Sequence, residues 1–201
     1  MVKNLFLNRK SFQTLVFLGV FISAYTSNTF AADYKKSSQS KVGFVAHTTM
    51  FDANGLFHDW DIHTNLDTKD LTKSSVEVRI KTKSIDTDIE KRDEHLRKDD
   101  FFHTDKYPLA IFKSTHIKVV SKNWLEIKGK LTIKNITKEV IFKGKYNWFE
   151  KANGRAIRIQ GGTQVIRQDF NINYKSGLFL PAVKKNVEIN FDITLIPTAK
   201  I

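Results

Sequence analysis

Residues 186–196 read NVEINFDITLI, and apolar and polar side chains alternate without a break from Val187 to Leu195. Successive side chains of a strand point to opposite faces of the sheet, so this alternation gives one dry face and one wet face. Strands with a single dry face are typical of antiparallel sheets, whereas parallel strands are usually covered on both faces. The stretch therefore predicts an antiparallel strand over a buried interior.

The same period of two recurs along most of the chain. It is strict in SSVEVRIKTK (74–83), WLEIKGKLTIK (124–134) and EVIFKGKYNW (139–148), and weaker strands fit residues 41–47, 55–67, 109–119 and 155–168. These patterns predict one all-β domain of about eight antiparallel strands. Such strands can pack as a two-sheet sandwich or close into a barrel, and the short connections favour an up-and-down barrel.

The alternation also predicts which side chains point into the barrel. The inward candidates are Val76, Val78, Ile80, Phe112, Leu131, Phe142, Ile189, Phe191 and Ile193. A barrel of about eight strands is just wide enough to hold one elongated ligand among such side chains.

Two segments depart from regular alternation. IEKRDEHLRKDDFF (89–102) is dense in charged residues around Leu96, which predicts a short exposed helix near residues 89–100. Gly161 and Gly162 interrupt a predicted strand, where paired glycines indicate a bulge or a bend.

The N-terminus has the order of a targeting segment. A basic start (1–10) is followed by an apolar, uncharged run (11–25) and by small residues at positions −3 and −1 of a cleavage site near Ala31. The apolar run is shorter than the roughly 20 residues that span a bilayer. The sequence therefore predicts a signal peptide over 1–31, a barrel domain over 32–201, and a periplasmic or secreted protein.

Composition excludes several classes of function. The chain has no cysteine, which excludes disulfides, thiolate zinc sites and cysteine nucleophiles. Neither a Gly-x-Ser-x-Gly nor a His-Glu-x-x-His motif is present, so we expect no enzyme, no catalytic residue and no metal site. The net charge is +12, but the lysines are scattered, which argues against nucleic-acid binding and leaves transient contact with an anionic membrane surface open.

Three motifs of the chain match the signature of one known protein family. Residues 84–115 carry its signature phrases as Ser84-Ile85 with Thr87, Arg92-Asp93 with His95-Leu96, Asp100-Phe101-Phe102, Tyr107-Pro108, and Phe112 with Ser114-Thr115. The second and third motifs appear over 129–140 and 166–172, and FVAHT (44–48) fits the first strand of the family. With these motifs in this order and spacing, the chain resembles the YceI family. Asn135 and Asn171 stand where the family favours glycine, and asparagine is, after glycine, the residue that best tolerates the left-handed backbone such turns need.

The resemblance implies a fold and a ligand. The fold is an extended, lipocalin-like antiparallel barrel, and the ligand is a long isoprenoid, polyprenyl or quinone-like, or a similar amphiphilic chain. No enzymatic step and no cofactor other than such a bound lipid is implied. In this interpretation the inward candidates bind the chain, and Phe101, Phe102 and Tyr107 touch it at the rim.

Three points stay open in the sequence. Arg92, Asp93 and His95 are expected to form an ion-paired plug that holds the helix over one barrel end. The alternative to a lipid carrier is an extracytoplasmic interaction or stress-response protein whose barrel is filled by its own side chains. Pairing of two barrels as a homodimer is also open.

Overall fold

The computed structural model describes residues 34–175 and 182–198, and the predicted signal peptide lies outside them. The described residues form eleven strands and one short α-helix. The strands are β1 (Tyr34–Lys36), β2 (Lys41–Thr48), β3 (Asp52–Phe57), β4 (Trp60–Asn65), β5 (Ser75–Lys81), β6 (Ile85–Asp86), β7 (Leu109–Ser121), β8 (Trp124–Ile133), β9 (Ile136–Lys151), β10 (Gly154–Ile166) and β11 (Val183–Pro197). The helix α1 spans Glu90–Leu96, and 3₁₀ turns span Leu71–Lys73, Thr82–Ser84 and Arg167–Phe170.

All strand pairs are antiparallel, and the sheet follows the order β4-β5-β7-β8-β9-β10-β11-β2-β3-β6. Each long strand from β7 to β11 pairs with the next one along the chain, which is the up-and-down order that short connections produce. The return pairing of β11 with β2 brings the two ends of the domain together. This topology confirms the predicted all-β, antiparallel barrel class.

The sheet curls strongly and is open along one seam. Its two ends are β4 and the β3–β6 pair, and no ladder joins β3 to β4 within the described residues. The short strand β1 lies beside this seam: Tyr34 pairs with Pro197 of β11, and the Lys36 ammonium lies 4.4 Å from the ring centre of Trp60 in β4. The result is a curled half-barrel with its apolar face on the inside.

The stretch predicted as one strand over 55–67 is divided in two. β3 ends at Phe57 and β4 begins at Trp60, because the residues between them bond to the end of β5 and to the turn that follows it. The His58 amide donates to the Ser84 carbonyl at 3.2 Å, and the Asp59 carbonyl accepts from the Lys81 amide at 2.9 Å. The alternation also shifts by one residue here, because Phe57 and Trp60 are both buried and the two residues between them are both exposed. The pattern therefore marks the division, whereas the partners of the turn come only from the tertiary structure.

The helix is confirmed but is shorter than the predicted range of 89–100. It ends at Leu96, and the chain then turns back so that the Phe102 amide donates to the Leu96 carbonyl at 3.0 Å. This return places Phe101 and Phe102 against the core, where Phe101 is 8% exposed. Burial of this aromatic pair therefore ends the helix earlier than the charge pattern suggested.

The predicted ion-paired plug has a different arrangement. Arg92 and Asp93 do not pair with each other among the described ion pairs, since both bind Thr87. Asp93 Oδ1 accepts from the Thr87 amide at 3.0 Å and from its hydroxyl, while the Arg92 guanidinium donates to the Thr87 hydroxyl and carbonyl at 2.7 and 2.6 Å. His95 instead contacts Asp100 at 2.8 Å. A buried threonine thus links the two opposite charges at the start of α1.

Gly161 and Gly162 lie in an unbroken register rather than in a bulge. Gly161 pairs with Gly144 of β9 and with Phe191 of β11, and no shift occurs on either side. A Cβ atom at Gly161 would overlap the Lys143 carbonyl oxygen and lie 2.6 Å from the Gly144 Cα. The glycines therefore allow neighbouring backbones to approach closely where the sheet curls.

The turns that carry Asn135 and Asn171 confirm the expected left-handed backbone. Their φ angles are 61° and 56°, and Lys134 before Asn135 is left-handed as well, with φ of 49°. Lys134 is 7% exposed, and its ammonium donates to the Asp99 carbonyl at 2.8 Å and the Asn171 carbonyl at 3.0 Å. One lysine thereby joins the β8–β9 hairpin to the segment after α1 and to the turn after β10.

We expect Lys134→Met to lower the free energy of unfolding by about 1–3 kcal/mol, because it removes the donor shared by two carbonyl groups. Lys138→Met is the matched control, since Lys138 lies in the same hairpin and is exposed. Urea denaturation of the two variants and the wild type measures both changes. Equal midpoints for Lys134→Met and Lys138→Met would show that the buried ammonium does not join these segments.

Candidate functional site

The inner face of the curled sheet encloses an apolar cavity of about 200 Å³. Strands from opposite sides of the curled sheet form the walls of the cavity. Leu96 of α1 and the Phe101–Phe102 pair contribute side chains from outside the sheet. The walls are apolar because every second residue of each strand points inward, and those positions carry the aliphatic and aromatic residues. Most ligand-binding cavities have walls of this kind.

Eleven of the twelve predicted ligand-binding residues line this cavity. They are Val76, Val78, Ile80, Phe101, Phe102, Phe112, Leu131, Phe142, Ile189, Phe191 and Ile193. Tyr107 lies outside the lining: its ring packs edge-on at 5.7 Å from His103, and its carbonyl accepts from the Thr82 hydroxyl at 2.9 Å. That any of the twelve touches a ligand stays a prediction.

Aromatic rings form a connected part of the wall. Phe112 and Phe142 meet edge to face at 4.9 Å between ring centres, and Phe142 and Phe191 at 5.9 Å. The three rings come from β7, β9 and β11, so these two contacts join strands that are well separated in the order of the curled sheet. Such rings present a large apolar area to anything within the cavity.

Other lining residues were not named from the sequence. Leu125, Ile127 and Ile133 alternate on β8 with the outward side chains, so the same pattern could have identified them. Leu71 and Phe170 lie in 3₁₀ turns, where no period of two exists. Only the tertiary structure shows that these turns fold over the cavity.

Most polar lining residues lie near the ends of strands, whereas Asn190 lies in the middle of β11. Ser74 and Ser75 stand at the beginning of β5, whereas Arg167 follows the end of β10. In the antiparallel order the beginning of β5 and the end of β10 fall at opposite ends of the sheet. The cavity therefore has a charged group at one end and hydroxyl groups at the other.

Arg167 is the buried charge of the site. It is 8% exposed, and its guanidinium donates to the carbonyls of Ile172 at 2.7 Å, Tyr174 at 3.0 Å, and Val183 and Lys184 at 3.2 Å. Burial lowers the pKa of Arg167 below its usual range, but an arginine side chain stays protonated in proteins. Arg167 thus brings a permanent positive charge to a mostly apolar cavity.

Comparison with known proteins identifies the fold. Residues 34–195 match the model of the YceI-like domain. The chain belongs to the YceI family. It is 33% identical over 175 residues to the protein YceI of Escherichia coli O17:K52:H18. The match covers 84% of this chain and 90% of that protein. A UPF0312 protein of Azotobacter vinelandii is 32% identical over 157 residues. The match covers 73% of this chain and 80% of that protein.

Solved structures related to the YceI family share the architecture. BcnA of Burkholderia cenocepacia superposes with a TM-score of 0.69 at 22% identity, covering 77% of this chain and 95% of BcnA. A polyisoprenoid-binding domain of Saccharophagus degradans, implicated in plant cell wall breakdown, gives a TM-score of 0.62 at 14% identity. The superposition covers 83% of this chain and 99% of that domain. At these identities the likeness establishes the fold alone.

Residues of the YceI motifs lie both in the cavity wall and beneath helix α1. The third motif supplies Arg167, Phe170 and Ile172 to the cavity, while the first supplies Thr87 and its two charged partners beneath α1. The motifs therefore contain both lining residues and residues that only hold the fold.

Three of the six histidines, His47, His58 and His95, pair with carboxylates outside the cavity. His47 contacts Asp52 at 2.7 Å and Glu188 at 3.3 Å, and the hydrogen bond that the His47 ring donates to the Asp52 carboxylate is the main reason that the pKa of His47 is raised. None of the His, Asp and Glu side chains over 34–175 and 182–198 form a group of three suited to a metal ion. In the same part of the chain, no helix has the length and apolarity needed to cross a membrane.

Proposed function

We propose that this protein binds one long isoprenoid chain, polyprenyl or quinone-like, inside the half-barrel and carries it without a chemical step. The observation that supports this most is the apolar cavity itself, since a barrel filled by its own side chains would leave no such space. The polyisoprenoid-binding domain of Saccharophagus degradans has a similar fold and supports the same class of ligand.

The energetics of such binding follow from the cavity walls. Each buried methylene contributes roughly 0.8 kcal/mol, so a chain of several isoprene units can bind tightly with few polar contacts. Specificity would then depend mainly on the length and shape of the chain. A carrier of this kind needs no nucleophile and no metal.

The proposal places the protein outside the cytoplasm. A signal peptide over residues 1–31 would direct it to the periplasm or the medium, where a lipid must be shielded from water between membranes. Loading and release would occur by transient contact with an anionic membrane surface, which is favoured by the positive net charge that remains after residues 1–31 are removed.

Native mass spectrometry of the protein purified from its own host tests the proposal. We expect a discrete added mass that solvent extraction releases as a polyprenyl or quinone-like species. A clean protein mass, together with no uptake when such lipids are added back, would support the alternative of an interaction protein without lipid cargo.

A further inference from the structure

The β7–β8 hairpin extends beyond the strand on one side of it. The described ladder between β5 and β7 ends at Lys113, whereas the ladder between β7 and β8 continues to Ser121. We call residues 120–124 the hairpin tip. The Tyr146 amide of β9 donates to the Asn123 carbonyl at 2.8 Å, so the tip is held against β9.

Two large apolar side chains are exposed on the hairpin tip. Val120 is 52% exposed and Trp124 is 50% exposed. The register shifts by one residue here, so Val120 is the extra residue opposite Trp124 and the two lie beside each other. Adjacent apolar side chains left in water on an ordered hairpin are typical of an interaction surface.

Three lysines surround this apolar pair. Lys122 belongs to the tip, Lys118 precedes it on β7, and Lys145 pairs with Trp124 in the β8–β9 ladder. All three are exposed, and none lies within ion-pair distance of a carboxylate among the described residues. The tip itself contains no acidic residue, so its charge is positive.

Acidic groups at this end of the sheet do not cancel that charge. Glu126 of β8 pairs with Lys143 at 3.6 Å. The connection over 66–74 carries two aspartates and two lysines and adds no net charge. Glu150, at the end of β9, is followed directly by Lys151. The lysines around the tip are therefore free to contact an anionic partner.

An exposed tryptophan among lysines matches the chemistry of an anionic bilayer surface. Tryptophan is enriched at the level of the lipid headgroups, and each lysine close to an anionic surface adds attraction. A protein partner fits less well, because a stable interface buries about 800 Å² on each side. Two exposed apolar side chains on a hairpin tip supply only a small part of that area.

The hairpin tip also adjoins the cavity. Leu125 follows Trp124 and lines the cavity, and Ile117 of β7 lines it just before the tip. Ser74 and Ser75 line the same end, because β5 begins where the antiparallel strand β7 ends. A membrane that holds the tip therefore lies near the hydroxyl end of the cavity.

We propose that the hairpin tip docks this protein on an anionic membrane. Val120 and Trp124 enter the headgroup layer, while Lys118, Lys122 and Lys145 contact the lipid phosphates. The inference rests on the proposed function, since it names the surface through which the carrier meets a membrane to load and release its chain.

Co-sedimentation with vesicles tests the apolar part of this surface. The vesicles contain equal parts of phosphatidylcholine and phosphatidylglycerol, and the protein is purified from its own host. We expect Val120→Ser/Trp124→Ser to lower the partition coefficient at least tenfold. The matched control is Ile141→Ser/Ile166→Ser, which removes two side chains, each 44% exposed, from β9 and β10. This control should bind as the wild type does.

Vesicles of phosphatidylcholine alone measure the contribution of charge. We expect the wild type to partition at least tenfold more strongly onto the anionic vesicles, and this preference should shrink at high salt because exposed charges are screened. Lys122→Gln/Lys145→Gln should lower the preference at least threefold. Lys130→Gln/Lys138→Gln removes the same charge from exposed positions outside the tip and should leave the preference close to that of the wild type.

Trp124 also reports its own insertion. Its fluorescence should shift to shorter wavelength on anionic vesicles, and lipids with brominated acyl chains should quench it. Trp124→Phe should lose both changes, because Trp60 is buried and Trp148 packs half-buried against the core. This measurement on the wild type decides the matter even if the serine variant does not fold.

Uptake of geranylgeraniol separates docking from carriage. The variant Val120→Ser/Trp124→Ser should take up this lipid from neutral detergent micelles as the wild type does, but at least tenfold more slowly from anionic vesicles. If the wild type docks through Trp124 yet takes up the lipid from neither source, the carrier proposal fails and the docking surface stands.

Two results would overturn the docking surface and leave the carrier proposal intact. One is vesicle binding that Val120→Ser/Trp124→Ser does not weaken. The other is a wild-type oligomer that the same variant dissociates, since the tip would then be a contact between copies of this chain.

Discussion

Replacing Val78 by phenylalanine should weaken isoprenoid binding by at least about tenfold while the protein stays as stable as the wild type. Val78 lies on β5 and lines the cavity, so the larger ring would occupy space that the ligand needs. Each methylene of the ligand that is displaced loses roughly 0.8 kcal/mol, and two of them already account for a tenfold change. Uptake of geranylgeraniol, followed by native mass spectrometry, measures the loss.

The stability of the same variant separates the two functional hypotheses. If the interior were a filled core, a larger side chain would be over-packed and would cost about 1–3 kcal/mol. If the interior is a cavity, the ring fits and the free energy of unfolding stays the same or rises. Val119→Phe is the matched control, because Val119 is 38% exposed and does not line the cavity. Undiminished uptake by Val78→Phe would show that the lipid does not bind in this cavity.

Replacing Gly161 by alanine should destabilise the protein by roughly 1–3 kcal/mol or more. The new methyl group would overlap the Lys143 carbonyl and press on the Gly144 Cα, and both are backbone atoms that cannot rotate away. The β9 and β10 strands would have to separate at the point where the sheet curls. Guanidinium denaturation followed by circular dichroism measures the change.

Gly144→Ala is the matched comparison for this effect. A Cβ atom at Gly144 would meet the Ile159 Cγ2 at 3.2 Å, and this side chain can shift by a few tenths of an ångström. We therefore expect a smaller loss than for Gly161→Ala. An equal or larger loss for Gly144→Ala would show that close approach of the backbones at Gly161 does not limit the structure.

Local alternation was enough to predict the walls of the site. Side chains such as Phe142 on β9 and Ile193 on β11 point inward because strand geometry sends every second residue to the same face. The left-handed turns at Asn135 and Asn171 were also predictable, since they depend on the conformational preference of a single residue.

Other features depend on residues that are distant in the chain. The turn between β3 and β4 is held by bonds of His58 to Ser84 and of Asp59 to Lys81 at the end of β5, and no pattern within 55–67 encodes those partners. The ion-paired plug expected of Arg92, Asp93 and His95 has another arrangement for the same reason, because the charges alone do not show that Thr87 will lie between Arg92 and Asp93.

The amino-acid sequence by itself determined that this protein is an antiparallel β-barrel with an apolar interior, because the pleat of a strand converts a period of two directly into two faces. The tertiary structure alone decided that the interior keeps a cavity and that Arg167 closes one end of it. Both depend on how far the sheet curls and on which carbonyls of the turn after β10 and of the start of β11 converge on one guanidinium. Those distances are set by packing across the whole sheet, which no local pattern specifies.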